Sequence, residues 1–148
     1  MKLYLFIVTL SVILISCNTR ENTVSFYNIE DCNADFKRMS MKSLSDSASF
    51  YDRKQVEVSG YYSWRIEESA LFARKTNSDN KFSLWVDFKA GLVDSLMKRE
   101  LPGENIFSKM SGKRIKIRGI LYSNSHGHLG QYSASVKDVC YLEISNGF

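Results

Sequence analysis

Two histidines, His126 and His128, stand one glycine apart among small and polar side chains. Imidazoles at that spacing can approach one metal ion, and zinc or copper would be the fitting cations. A stable site needs a third or fourth ligand, for which Asp138 is the one candidate. The structural alternative is that His128 hydrogen-bonds the adjoining turn while the flanking glycines supply backbone angles that other residues avoid. A second constellation is cationic: Lys113, Arg114, Lys116 and Arg118 form a basic stripe, with Tyr61, Trp64 and Trp85 available as stacking surfaces. That combination suits a single-stranded nucleic acid or an oligosaccharide. Its alternative is a solvated strand face whose cations oppose acidic residues on neighbouring strands. Hydrolysis has no recognisable seat. No serine lies in a Gly-x-Ser-x-Gly elbow, Glu67-Glu68 and Asp87 lack a partner at a defensible spacing, and no phosphate loop or dinucleotide fingerprint occurs. No cofactor is indicated.

The first residues bear on where any of this chemistry would operate. After Met1-Lys2 come about thirteen nearly apolar residues, too few for the ~20 that span a bilayer as a helix. Leu14-Ile15-Ser16-Cys17 follows and resembles the lipobox of bacterial lipoproteins, whose cysteine is acylated and becomes the first mature residue. The resemblance implies a signal peptide over residues 1–16, lipid on Cys17 and an envelope location facing the periplasm or the cell surface. Two or three acyl chains anchor stably where one is marginal. Asn18 is not the aspartate that retains lipoproteins at the inner membrane, which favours the outer membrane. Residues 17–37 then read as lipidated N-terminus and tether, and 38–148 as the domain.

Without residues 1–16 the chain keeps 132 residues, one domain's worth, and a net charge of about +3. So mild a charge permits weak attraction to anionic lipid, glycan or nucleic acid without demanding it, and export argues against nucleic acid. Cys32 and Cys140 remain once Cys17 is lipidated, and an even pair in an oxidising compartment favours a disulfide.

The elements that must position these residues are mostly strands. Met41, Leu44, Ala48 and Tyr51 have helical spacing and predict a short N-terminal helix. Val56, Val58, Gly60, Tyr62 and Trp64 then alternate with polar residues, and Trp64 falls on the apolar, inward face. Residues 69–74 and 81–88 read as second and third strands, with a turn at 77–80. Leu92 to Lys98 has helical period and is stopped by Pro102-Gly103. Residues 113–122 form a fourth strand with Gly119 within it, 123–130 a loop, and 131–144 a last strand. Strand, strand, strand, helix, strand, strand is the order of an OB-fold, the five-stranded, partly open Greek-key barrel, and mid-strand glycines suit its curled strands.

A further resemblance supports that fold. Gly127-His128-Leu129-Gly130-Gln131-Tyr132-Ser133-Ala134, followed by Asp138-Val139, is similar to a pattern in small exported bacterial proteins of OB-like fold. Tyr51-Asp52-x-Lys54-x-Val56-x-Val58-x-Gly60 resembles their opening phrase. Together these cover residues 43–144, and the family carries no established activity. The expectation is therefore a non-enzymatic, lipid-anchored OB-like binding module. Its partner would be an envelope protein or a glycan, met by the face of Arg114, Lys116 and Arg118 or by the loop 123–130. The alternatives are a metal-binding module using His126 and His128, and a small hydrolase.

Overall fold

The computed structural model describes residues 24–27 (through their backbone), 32, 35–75, 83–98 and 105–145. The expected signal peptide, the lipobox with Cys17, the turn at 77–80, Lys81, Phe82 and Pro102-Gly103 lie outside the described residues. Among them run the strands β1 (Val24–Tyr27), β2 (Lys37–Met39), β3 (Gln55–Arg65), β4 (Glu68–Phe72), β5 (Ser83–Phe88), β6 (Arg114–Tyr122) and β7 (Ala134–Ile144). Helix α1 (Met41–Ser47) precedes β3, and α2 (Ala90–Met97) and α3 (Ile106–Met110) lie between β5 and β6.

Strands β3 to β7 close into a five-stranded barrel of OB-like order. Antiparallel pairs join β3 to β4, β4 to β5, β7 to β6 and β6 to β3, and the parallel pair β5–β7 seals the ring. β3 serves two neighbours along its length, β6 from Gln55 to Tyr61 and β4 from Tyr61 to Arg65. Gly60 and Gly119 stand where backbones approach too closely for a side chain. A Cβ at Gly60 would lie 2.9 Å from the Phe72 carbonyl oxygen, and one at Gly119 would lie 2.7 Å from that of Lys137.

Alternation sorts the barrel's inside from its outside. Val56, Val58 and Tyr62 of β3, Ile115, Ile117 and Leu121 of β6, and Val136, Leu142 and Ile144 of β7 are buried in one core. Helix α1 starts where the Ser40 Oγ accepts the Ser43 N–H at 3.0 Å, and it sends Met41 and Leu44 into that core. Burying one such leucine contributes roughly 1.5–3 kcal/mol. One helix was expected between the third and fourth barrel strands, and two are present among the described residues. α3 has only five residues, too few to show a period. It is marked instead by the Asn105 Oδ1, which accepts the Phe107 N–H at 2.9 Å, and by the buried Ile106 and Met110.

The stretch expected as tether contributes to the barrel wall. β1 runs antiparallel to the end of β7, with Val24 opposite Ile144, and β2 runs parallel to the start of β3, with Lys37 opposite Val56. Between them Cys32 is disulfide-bonded to Cys140, the Cα atoms 5.7 Å apart. Closing a loop of that length is worth up to about 4.7 kcal/mol in the chain-entropy account.

Candidate functional site

Along β6 the basic side chains point outward, as alternation requires, but most are engaged within the domain. The Arg118 Nε donates to the Glu57 Oε2 at 2.8 Å, and the Arg38 Nε donates to the Oε1 at 2.9 Å. Glu57 is thus only 5 % exposed on the outer face of β3. Burial pushes its carboxyl up, and the hydrogen bonds and charges of Arg118 and Arg38 outweigh that, holding it below the usual glutamate range. The Arg118 guanidinium also lies over the rings of Tyr141 and Phe36, at 4.5 and 5.7 Å. Lys116 donates to the Glu143 Oε1 at 2.7 Å and Tyr141 donates to the Oε2 at 2.6 Å. These two bonds overcome the burial that would raise Glu143, and its carboxyl too is depressed. Arg114 has no ion pair among the described residues. With Tyr61, Lys75, Lys113 and Lys116 it lines an open groove of about 680 Å³.

The two histidines turn to different partners. His126 Nδ1 donates to the Tyr132 carbonyl at 2.9 Å, and the Tyr132 N–H returns a bond to the His126 carbonyl at 3.1 Å. His128 Nε2 lies 3.1 Å from the Glu67 Oε2, on the turn between β3 and β4. Asp138 sits elsewhere, where the β6–β7 register breaks, with φ +51°. No group of three or more His, Cys, Asp and Glu side chains converges among the described residues.

Several contacts fix the loop between β6 and β7. The Ser123 N–H and hydroxyl both donate to the Asp52 Oδ1, at 2.8 and 2.9 Å. The backbone bond from Ser123, then its hydroxyl, holds the Asp52 carboxyl below its usual value. Ser135 donates to the Ser125 carbonyl at 2.7 Å. At Gly127 the loop presses onto the barrel with φ +65°, and a Cβ there would meet the Cβ and Cγ of Trp85 and the Cδ2 of Tyr132 at 2.7 Å. Only glycine satisfies both the angle and the contact.

Trp85 and Asp87 of β5 form the common wall of two adjoining hollows on the barrel's side. One, of about 340 Å³, is bounded by Ser125, Gly127, His128 and Lys137. The other, of about 360 Å³, is bounded by Tyr62, Trp64, Ser69, Phe88, Val93 and Phe107. The second exists because β4 and β5 part company. Their paired residues end at Ala70 and Trp85, and beyond that point the Ser69 hydroxyl donates to the Val86 carbonyl at 2.9 Å. The parting gives access to aromatic residues of the interior, with Tyr62 and Phe88 edge to face at 5.8 Å and Phe88 and Phe107 at 5.4 Å. Trp64 packs against the core, as its place in the alternation implies, and Trp85 packs outside it against Tyr132 at 5.4 Å. Burial and the nearby Glu68 charge raise the Tyr132 hydroxyl.

The chain matches no family model, no curated protein and no solved structure. Sequence reasoning singled out Trp85, Asp87 and His128 separately and had no means of joining them. It missed Asp52 as the loop's anchor, Phe88 and Phe107 as walls, and Lys75 in the basic groove. The Tyr51-Asp52 phrase was the one available signal for Asp52.

Proposed function

We propose that this chain is a lipid-anchored envelope protein, acylated at Cys17, whose OB-like barrel is a binding module for an envelope glycan. The reading rests on the paired hollows that share Trp85 and Asp87. A sugar ring offers an apolar C–H face and a rim of hydroxyls. The hollows offer aromatic walls beside polar groups of both signs, Asp87, Ser125, His128 and Lys137. Binding sites of this type are concave, largely apolar and furnished with a few convergent polar groups. On OB-folds, oligosaccharides are taken at the second and third strands and the loops beside them, which here are β4, β5 and the loop carrying Gly127 and His128. The basic face of β6 is less suited to that role, since Arg118 is bound to Glu57 and Lys116 to Glu143.

The test has two parts. Intact mass of the protein isolated from its membrane reads the anchor; a chain still carrying Met1 and no acyl chain removes it. Retention on immobilised envelope polysaccharide and peptidoglycan fragments reads the module, with Trp85→Ala and Asp87→Asn expected to abolish it. Retention equal to the parent in both variants would move the site elsewhere, and selective capture of a single envelope protein in its place would replace the glycan with that partner.

A further inference from the structure

The basic groove has no part in the glycan reading, and its place in the fold suggests a separate role. Among the described residues it is lined by Lys75, Lys113, Arg114 and Lys116 against one carboxylate, Glu143, which Lys116 already engages. Lys75 and Arg114 are exposed and make no ion pair among the described residues. A neighbouring hollow shares Ser59 and Arg114 with the groove and adds Lys42, so the cationic surface continues beyond it.

This surface borders the point where the chain enters the barrel. Val24, the first residue of β1, is opposite Ile144, and Ile144 is opposite Ile115, next to Arg114. The Ser145 N–H donates to the Arg114 carbonyl at 3.0 Å. Ser25 lies opposite Glu143 at the groove's border. Six residues separate Cys17 from Val24, a span of at most about 25 Å even if fully extended. A lipid on Cys17 therefore keeps this end of the barrel within a few nanometres of the bilayer surface. The loop carrying His128 follows the other end of β6.

We propose that the basic groove is the face on which the domain rests on its membrane, taking up the phosphates of anionic lipid headgroups. The inference relies on the lipid-anchor reading and is independent of the glycan site. A tether this short presents the groove to headgroups at high effective concentration. Each Lys or Arg at an anionic surface strengthens partition roughly five-fold, an effect screened within a Debye length. Docking in this pose turns the loop end of β6, and with it the hollow bounded by Ser125, Gly127 and His128, away from the bilayer.

Lysine acylation footprinting tests this on the protein isolated from its membrane and reconstituted into vesicles of zwitterionic lipid, alone or with phosphatidylglycerol. Because the tether holds the protein on both vesicles, differences report the groove. Lys75 and Lys113 are expected to react several-fold more slowly on the anionic vesicles, with reactivity restored by high salt and with Lys54, whose carbonyl accepts the Leu121 N–H at the loop end of β6, unchanged. In Lys75→Glu/Arg114→Glu, two exposed positions, Lys113 should lose its protection. Equal rates at Lys75 and Lys113 on the two vesicles would overturn the proposal, as would protection that survives the charge reversals. Protection by a soluble acidic oligosaccharide and none by vesicles would overturn it too, and would assign the groove to a free polyanion. Intact mass of the same sample reads the acyl chains separately, so failure of the anchor and failure of headgroup binding give different results.

Discussion

Arg118 reaches from β6 to β3 and donates its Nε to the Glu57 Oε2 at 2.8 Å, so the last cation of the basic stripe is held within the domain. The same carboxylate takes Arg38 from β2, and one buried group therefore joins the N-terminal segment to two barrel strands.

Replacing Glu57 with Gln should lower stability by about 1–3 kcal/mol, the cost typical of leaving charged partners without their acceptor. The figure stays below that of a fully buried pair because the Arg38 side chain is 84 % exposed. Denaturant unfolding of the purified protein measures it, and an unchanged midpoint would show that the bridge adds nothing.

Acid should destabilise the native state through the same group. The folded pKa values of Glu57, Glu143 and Asp52 are all depressed. Their contribution is thus complete above the unfolded carboxylate range and is lost as pH falls through it towards the lower folded values. Melting temperature followed from neutral pH downward should decline through that range, with a shallower decline in Glu57→Gln.

Removing the disulfide with Cys32→Ala/Cys140→Ala should cost about 2–5 kcal/mol, since a native bridge that closes a long loop restrains the unfolded chain. Amide exchange should rise first in β1 and β2, which otherwise hold by short ladders of four and three residues. Uniform exchange across all seven strands would contradict that order.

Gly127→Ala should displace the loop over Trp85, because the new methyl would meet the indole and the Tyr132 ring at 2.7 Å on a backbone with φ +65°. Expected effects are about 1–3 kcal/mol lost and impaired retention on the glycan matrix. His128→Ala, which removes only a partly exposed contact to Glu67, should change stability by less than about 1 kcal/mol.

The barrel was largely legible in the sequence because its strands alternate cleanly. Val56, Val58 and Tyr62, and Ile115 and Ile117, declared their inward face by spacing alone. Cys32 and Cys140 were legible as a pair by arithmetic. β1 and β2 were not, because their partners are distant strands and three or four residues carry no period. Glu57 shows the same limit: alternation sets it outward, and only Arg38 and Arg118 arriving from elsewhere bury it. The hollows at Trp85 were hidden for a related reason. They arise where β4 and β5 separate, a matter of how strands diverge in space that residue types do not record.

The pairing of Val24 with Ile144 brings the two ends of the described chain side by side. A short linker could join them into a circle, with the backbone reopened at the exposed turn beside Ile66 to give new termini at the opposite loops. Such a permuted barrel would keep its strand pairings, and a reporter fused at the new ends would stand beside the loop that carries His128.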